Sequence, residues 1–249
     1  MDPGDTVIVT GGGRGIGAAV CRLAAARGFD VVVNYVRDDA AAKSVVRDVE
    51  SAGARAVAVR GDVADEADVA RIFDAARELG PLTGLVANAG ITGNTPGRLD
   101  AQDIATVRRV LDVNVTGVFL CDREAVRRMS TRHGGRGGAI VNISSTAAHR
   151  GSSGEWVHYA ASKAAVETMT RGLAQEVAAE GIRVNAVAPG LVHTGLHAEA
   201  GMPDRPARIA PLIPMRRAGR PEEIADGVLW LLSAASFVTG EVIAISGGR

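Results

Sequence analysis

Tyr159 and Lys163 stand four residues apart in a chain that makes little use of either residue type. It has two tyrosines, and of its 28 lysines and arginines only Lys43 and Lys163 are lysines. On a helix, positions i and i+4 share a face, so phenol and ammonium can point into the same space. Lysine is a compact point charge with three rotatable donors, whereas arginine is a rigid fork that stays charged. The pair is suited to proton handling. A free phenol, with a pKa near ~10, is a poor acid or base at neutral pH, and a neighbouring cation lowers that value by favouring phenolate. The same spacing also occurs on ordinary amphipathic helices, so the pair needs company to mean anything.

The first company is a glycine cluster. Thr10-Gly11-Gly12-Gly13-Arg14-Gly15-Ile16-Gly17 lies between a β-branched run, Thr6 to Thr10, and a helical stretch, Ile16 to Arg27. Glycines there let the backbone approach a pyrophosphate, and the free N–H groups of the helix start face its oxygens. Gly11, Gly15 and Gly17, with Arg14 and Ile16 between them, are therefore candidate dinucleotide contacts. At the end of the second apolar run the chain reads Val33-Asn34-Tyr35-Val36-Arg37, with no acid where one would bind a ribose 2′-hydroxyl. Arg14 and Arg37 can instead meet a 2′-phosphate in forked geometry. The region around Asn34 and Arg37 thus favours NADP, while Asp38 and Asp39 keep NAD open.

These groups need a scaffold. Short, continuous apolar runs (31–35, 55–60, 84–87, 139–143, 183–188 and 241–245) alternate with helical stretches at 40–52, 65–79, 101–111, 115–133, 156–180 and 221–232. Continuous apolar strands with β/α alternation predict an α/β fold: one doubly wound parallel sheet with helices on both faces. No linker divides residues 1–249, which read as a single domain. The Pro-rich segment 191–220 has no clear periodicity and is expected to form a substrate loop. Zero formal net charge argues against nucleic acid or an anionic membrane as partner. Cys21 and Cys121 read as buried small hydrophobes. The first five residues have no signal-peptide pattern and no run is long enough to span a membrane, which predicts a cytoplasmic protein.

With the glycine turn and the Tyr/Lys pair in place, the whole chain resembles the short-chain dehydrogenase/reductase family in its single-domain, Rossmann-type form. Further motifs fall in family order. Asp62-Val63 matches the acid that meets the adenine ring. Asn88-Ala89-Gly90 matches the strand-four motif, with Ala87 where the family has Asn. Asn114 matches the helix Asn of the catalytic set. Ser145 aligns best with the catalytic serine, although it stands fourteen residues before Tyr159 and leaves Ser144 open. Pro189, Gly190, Val192 and Thr194 resemble the segment that meets the nicotinamide carboxamide.

The resemblance implies a hydride transfer between nicotinamide and a carbonyl or secondary alcohol, with Tyr159 as acid/base and Lys163 lowering its pKa. Ser145 would hold the substrate oxygen, and Asn114 a water linking Lys163 to solvent. The hydride chemistry calls for no metal. His193 and His197 have metal-ligand spacing, but lie in an irregular segment without a third ligand nearby. His149, Glu155, Trp156 and His158 are expected around the substrate pocket. Glucose 1-dehydrogenase-like and ketoacyl reductase-like members are the most similar in phrasing. A ketoacyl reductase docks an acidic carrier protein, and Glu180 occupies the end of the long helix where a base would help. A small sugar, alcohol or ketone is therefore preferred, with a carrier-bound ketoacyl substrate as the alternative. A nucleotide sensor without catalysis is the rival of another class. By family analogy the chain forms a homo-oligomer, a dimer or tetramer, through the long helices and the last strand.

Overall fold

The structure, a computed structural model, describes residues 4–93 and 95–249; of the N-terminal stretch read above, the first three residues lie outside this range. Seven strands form a single parallel sheet: β1 (Thr6–Val9), β2 (Asp30–Tyr35), β3 (Ala56–Arg60), β4 (Leu82–Ala87), β5 (Gly138–Ile143), β6 (Ile182–Pro189) and β7 (Val242–Ile245), in the order β3-β2-β1-β4-β5-β6-β7. The helices between them are α1 (Gly15–Ala26), α2 (Asp39–Ser51), α3 (Glu66–Ala75), α4 (Ile104–Leu111), α5 (Gly117–Met129), α6 (Ala147–Arg150), α7 (Val157–Val177), α8 (Leu196–Glu199), α9 (Arg205–Ile209) and α10 (Pro221–Leu229).

The continuous apolar runs are explained by two cores, because successive strand residues point to opposite faces. Val7, Val9, Val31, Val33 and Val86 pack with residues of α1, α2 and α10. Their immediate neighbours Ile8, Val32, Leu85 and Ala87 pack on the other face with residues of α3, α5 and α7. Both cysteines are buried, one in each core.

The chain reverses direction across the sheet between β1 and β4, and in such sheets the crevice beyond the strands' carboxyl ends at this point takes the ligand. The glycine turn, Asn88–Gly90, Ser144–Ser145 and Pro189–Gly190 all follow carboxyl ends on this side. Helices predicted at 101–111 and 115–133 are in fact α4 and α5, joined without a break by a π-turn at Asp112–Thr116. The segment 191–220 holds two short helices, α8 and α9, and is tied to the body by a bridge between Val192 and Gly219.

Candidate active site

Tyr159 and Lys163 lie on α7, with Lys163 Nζ 5.9 Å from the Tyr159 ring centroid. The Lys163 side chain has almost no contact with water, the whole residue being 3% exposed, and Nζ donates to the Ile143 carbonyl at the end of β5, 2.7 Å away. Burial lowers its pKa from 10.5 to about 8. Burial raises the Tyr159 pKa, while a hydrogen bond with Ser145 and the charge of Arg205 pull it back. Both shifts have the same cause, burial disfavouring the charged form of each group, and they move the two values apart.

The two serines separate cleanly. Ser144 is buried, and its single hydroxyl proton lies between two acceptors, Glu167 Oε1 (2.9 Å) and the Lys163 carbonyl (3.2 Å), which ties β5 to α7. Ser145 is only half-buried; its Oγ accepts from the Ala147 N–H and faces Tyr159. A strand end turns alternate residues to opposite sides, so just one of two adjacent serines can reach the crevice.

Asn114 sits in the π-turn, a form of helix that recurs at functional sites because one extra residue redirects a side chain. It is fully buried: Oδ1 accepts from Ile91 N–H (2.9 Å), and Nδ2 donates to Ile91 O (2.9 Å) and Ser162 Oγ (3.0 Å). A Cβ at Gly90 would come within 3.3 Å of Lys163 Nζ and 3.4 Å of Asn114 Oδ1, so the glycine leaves open the space that both polar atoms border.

The dinucleotide contacts expected from the sequence can be tested against the shape of the glycine turn. α2, α3 and α4 each start with an aspartate that caps the helix, at Asp38, Asp65 and Asp103. α1 has no side-chain cap and no acid in its first turn, so its N–H groups remain available to an anion. At Gly17 a Cβ would lie 2.3 Å from the Gly11 carbonyl oxygen, so only glycine allows this tight cradle. Ile16 packs onto the core below it. These features fit a nicotinamide dinucleotide, whose pyrophosphate would rest on the α1 N-terminus.

The other candidates are distributed unevenly. Asn34 is turned inward: its Nδ2 donates to the Val59 and Gly61 carbonyls and its Oδ1 accepts from Gly11 N–H, so it braces the turn from beneath. Asn88 does the same from β4, with Nδ2 donating to the Thr10 and Gly11 carbonyls. Arg37 is exposed beyond β2 and has no ion pair among the described residues. Arg14 is engaged by Glu199 of α8 through two hydrogen bonds, and Thr194 lies against Gly15, so the 191–220 segment closes over the turn. Asp62 is held by Arg109, and Val63 is in the core beside Gly117. Ala89 follows at the β4 end, its N–H donating to Thr10 Oγ1. Pro189 ends β6, Gly190 packs on Ser246, and Val192 is buried under the segment.

His193 and His197 belong to the same segment, and no cluster of three metal-ligating side chains occurs among the described residues. His158 is directed to the Thr92 carbonyl and His149 to Glu167. Arg205, which no sequence motif singled out, is the unexpected neighbour of Tyr159: Glu155 holds it, and it lies over the Trp156 ring.

A Ser/Tyr/Lys/Asn set gathered at the carboxyl end of a doubly wound sheet, beside an uncapped glycine turn, agrees with the family motifs in order and in space. A family model described as enoyl-(acyl carrier protein) reductase matches residues 11–249. The chain belongs to the short-chain dehydrogenase/reductase family. Among its relatives, the oxidoreductase YgfF of Escherichia coli is 50% identical over 97% of this chain and 98% of that protein. The cis-4-hydroxycyclohexanecarboxylate dehydrogenase of Sinomonas cyclohexanicum is 46% identical over 97% of this chain and 94% of its own. The 3beta-hydroxysteroid dehydrogenase 1 of Eggerthella lenta is 43% identical, over 98% and 93% respectively. A solved short-chain dehydrogenase from Burkholderia cenocepacia, in complex with NADP, superposes with a TM-score of 0.89 at 33% identity, covering 98% of this chain and 97% of that one. This member of the family is an oxidoreductase, and no described helix is long and apolar enough to cross a membrane.

Proposed function

We propose that this short-chain dehydrogenase/reductase interconverts a secondary alcohol and a ketone on a small, ring-shaped molecule, with NADP as the preferred cofactor. The observation that carries the reading is the convergence of Ser145, Tyr159 and Lys163 on one crevice, with Asn114 behind them. The nicotinamide, when bound, supplies or accepts the hydride. Ser145 orients the substrate oxygen and Tyr159 passes the proton to it or takes the proton from it. Lys163, fixed by the Ile143 carbonyl, holds positive charge beside the phenol and favours its ionised form. Asn114 keeps the π-turn and Ile91 in place and would hold a water beside Lys163 in the space that Gly90 leaves open.

Ring alcohols are favoured because two of the relatives are named for them, the cyclohexane carboxylate and steroid dehydrogenases. NADP is favoured by the unpaired Arg37 beyond β2 and by the NADP-bound neighbour. A carrier-bound ketoacyl substrate is the second reading, supported by the 3-oxoacyl-(acyl-carrier-protein) reductase of Synechocystis, 37% identical over 97% of this chain and 95% of that protein. Against it, Glu180 lies at the end of α7, where it accepts from Ser130 Oγ and pairs with Arg132. A homo-oligomer agrees with apolar side chains left in water: Phe119 on α5 is 57% exposed, and Phe237 before β7 is wholly so. Residues 1–249 would act as one domain, in the cytoplasm.

The reading is tested by following nicotinamide absorbance with ring ketones and with ketoacyl thioesters. Turnover of ring ketones at more than tenfold higher kcat/KM supports it. Preference for the thioesters transfers the assignment to the ketoacyl reductase.

A further inference from the structure

Beside Tyr159 the site holds more positive charge than proton transfer requires. Arg205 of α9 has a side chain only 16% exposed. Its Nε donates to Glu155 Oε1 (3.1 Å) and its Nη2 to Glu155 Oε2 (2.7 Å), while the guanidinium carbon lies 5.3 Å from the Trp156 ring centroid. Trp156 stands three residues before Tyr159 at the start of α7, so ring, guanidinium and phenol occupy one region. The charge of Arg205 reaches Tyr159 itself and pulls its pKa down against the effect of burial.

Two further cations converge there. Arg249 feels repulsion from both Arg150 and Arg205 and attraction from Glu155, which places it near the same ion pair. Two polar atoms in the same region are also buried without a partner among the described residues: Trp156 Nε1 and His197 Nδ1. Trp156 is 3% exposed and its N–H can only donate. His197 is 9% exposed, and burial, followed by the charge of Arg205, lowers its pKa to about 4, so at neutral pH it is uncharged and can donate from one ring nitrogen. Buried donors normally have acceptors, and unpaired ones mark a place where a ligand supplies them.

We propose that the substrate carries a carboxylate, bound between Arg205 and the Trp156 indole N–H, at a distance from the carbonyl that reacts at Tyr159. Glu155 occupies two of the five donors of Arg205 and fixes the plane of the guanidinium, leaving three donors for a ligand. Arg205 is then a specificity residue of the 191–220 segment, and Trp156 orients it by stacking. This inference rests on the oxidoreductase reading for its reacting end, but the carboxylate site has a readout of its own.

The test compares 4-oxocyclohexanecarboxylate with its carboxamide as substrates for the NADPH-loaded enzyme. A charge-assisted hydrogen bond predicts that the acid is preferred by roughly 10- to 100-fold in kcat/KM, expressed mainly in KM. In Arg205→Gln the preference is expected to fall to within about threefold, and in Arg205→Lys to be partly retained. Equal use of acid and amide by the wild type, or a preference that survives Arg205→Gln, overturns the proposal. If neither compound is turned over, calorimetry of cyclohexanecarboxylate and cyclohexanecarboxamide binding to the NADPH complex decides. Tighter binding of the acid, lost in Arg205→Gln, upholds the carboxylate site and removes the assigned reaction; equal binding removes the carboxylate site.

Discussion

Replacing Lys163 by methionine separates a catalytic lysine from a structural one, because the first role predicts lost turnover at nearly unchanged stability and the second the reverse. The side chain is buried and its pKa falls from 10.5 to about 8. That drop corresponds to about 3 kcal/mol against the charged form in the folded protein. Below about pH 8 both folded and unfolded chains carry the proton, so the wild type bears this cost in full. Between about pH 8 and 10.5 the unfolded chain holds the proton and the folded one does not, so this cost fades as pH rises. Opposing it is the bond from Nζ to the Ile143 carbonyl, a charge-assisted contact of roughly 1.5–3 kcal/mol. Methionine fills a similar volume without charge, so at neutral pH the two effects nearly cancel. The variant is expected to unfold within about 2 kcal/mol of the wild type. Its turnover, by contrast, is expected to fall roughly 10²- to 10⁴-fold, as for loss of acid/base assistance. Urea unfolding followed by circular dichroism gives the first quantity, and steady-state nicotinamide absorbance gives the second. A variant destabilised by more than ~3 kcal/mol that keeps wild-type turnover per folded molecule would show that Lys163 holds the fold and not the proton.

Other expectations can be checked alongside. Arg37→Ala should weaken NADPH about tenfold or more and leave NADH within about threefold, since only the former has a 2′-phosphate to meet a guanidinium; equal losses in fluorescence titrations would remove the cofactor preference. Asp122 is buried and its pKa is raised to about 7 by burial, against the hydrogen bond it accepts from Asn142. The folded state therefore keeps a proton that the unfolded state releases between about pH 4 and 7, and stability falls as pH rises through that window. Asp122→Asn lacks this slope, so its stability relative to the wild type should improve by roughly 2–4 kcal/mol from pH 4 to pH 8. Denaturation curves that stay parallel across that range would contradict the assignment.

Much of this architecture is legible in local pattern. Runs such as Val31-Val32-Val33 are apolar at every position because two helical layers cover the sheet, and the i, i+4 spacing of Tyr159 and Lys163 survives intact on α7. What escapes the sequence is whatever depends on one residue of phase or on backbone atoms. The π-turn at Asn114 joins α4 to α5, and its extra residue leaves no mark on hydrophobic periodicity. Ser144 and Ser145 differ only in which side of a strand end they face. Asn34 looked like a cofactor contact by position, but its amide completes the backbone hydrogen bonds of the glycine turn from below. Arg205 carries no motif at all: its place is set by Glu155 and Trp156, fifty residues earlier in the chain.

The central claim is that Tyr159 exchanges the proton while hydride moves to or from a substrate carbon held by Ser145. Tyr159→Phe removes one oxygen and leaves the ring and its packing. Reduction of a ring ketone by NADPH, followed beside direct titration of NADPH onto the same variant, tests the claim in a single pair of curves. The account predicts unchanged NADPH affinity with turnover reduced at least ~10²-fold. Turnover within a few-fold of the wild type, at equal cofactor affinity, would contradict it.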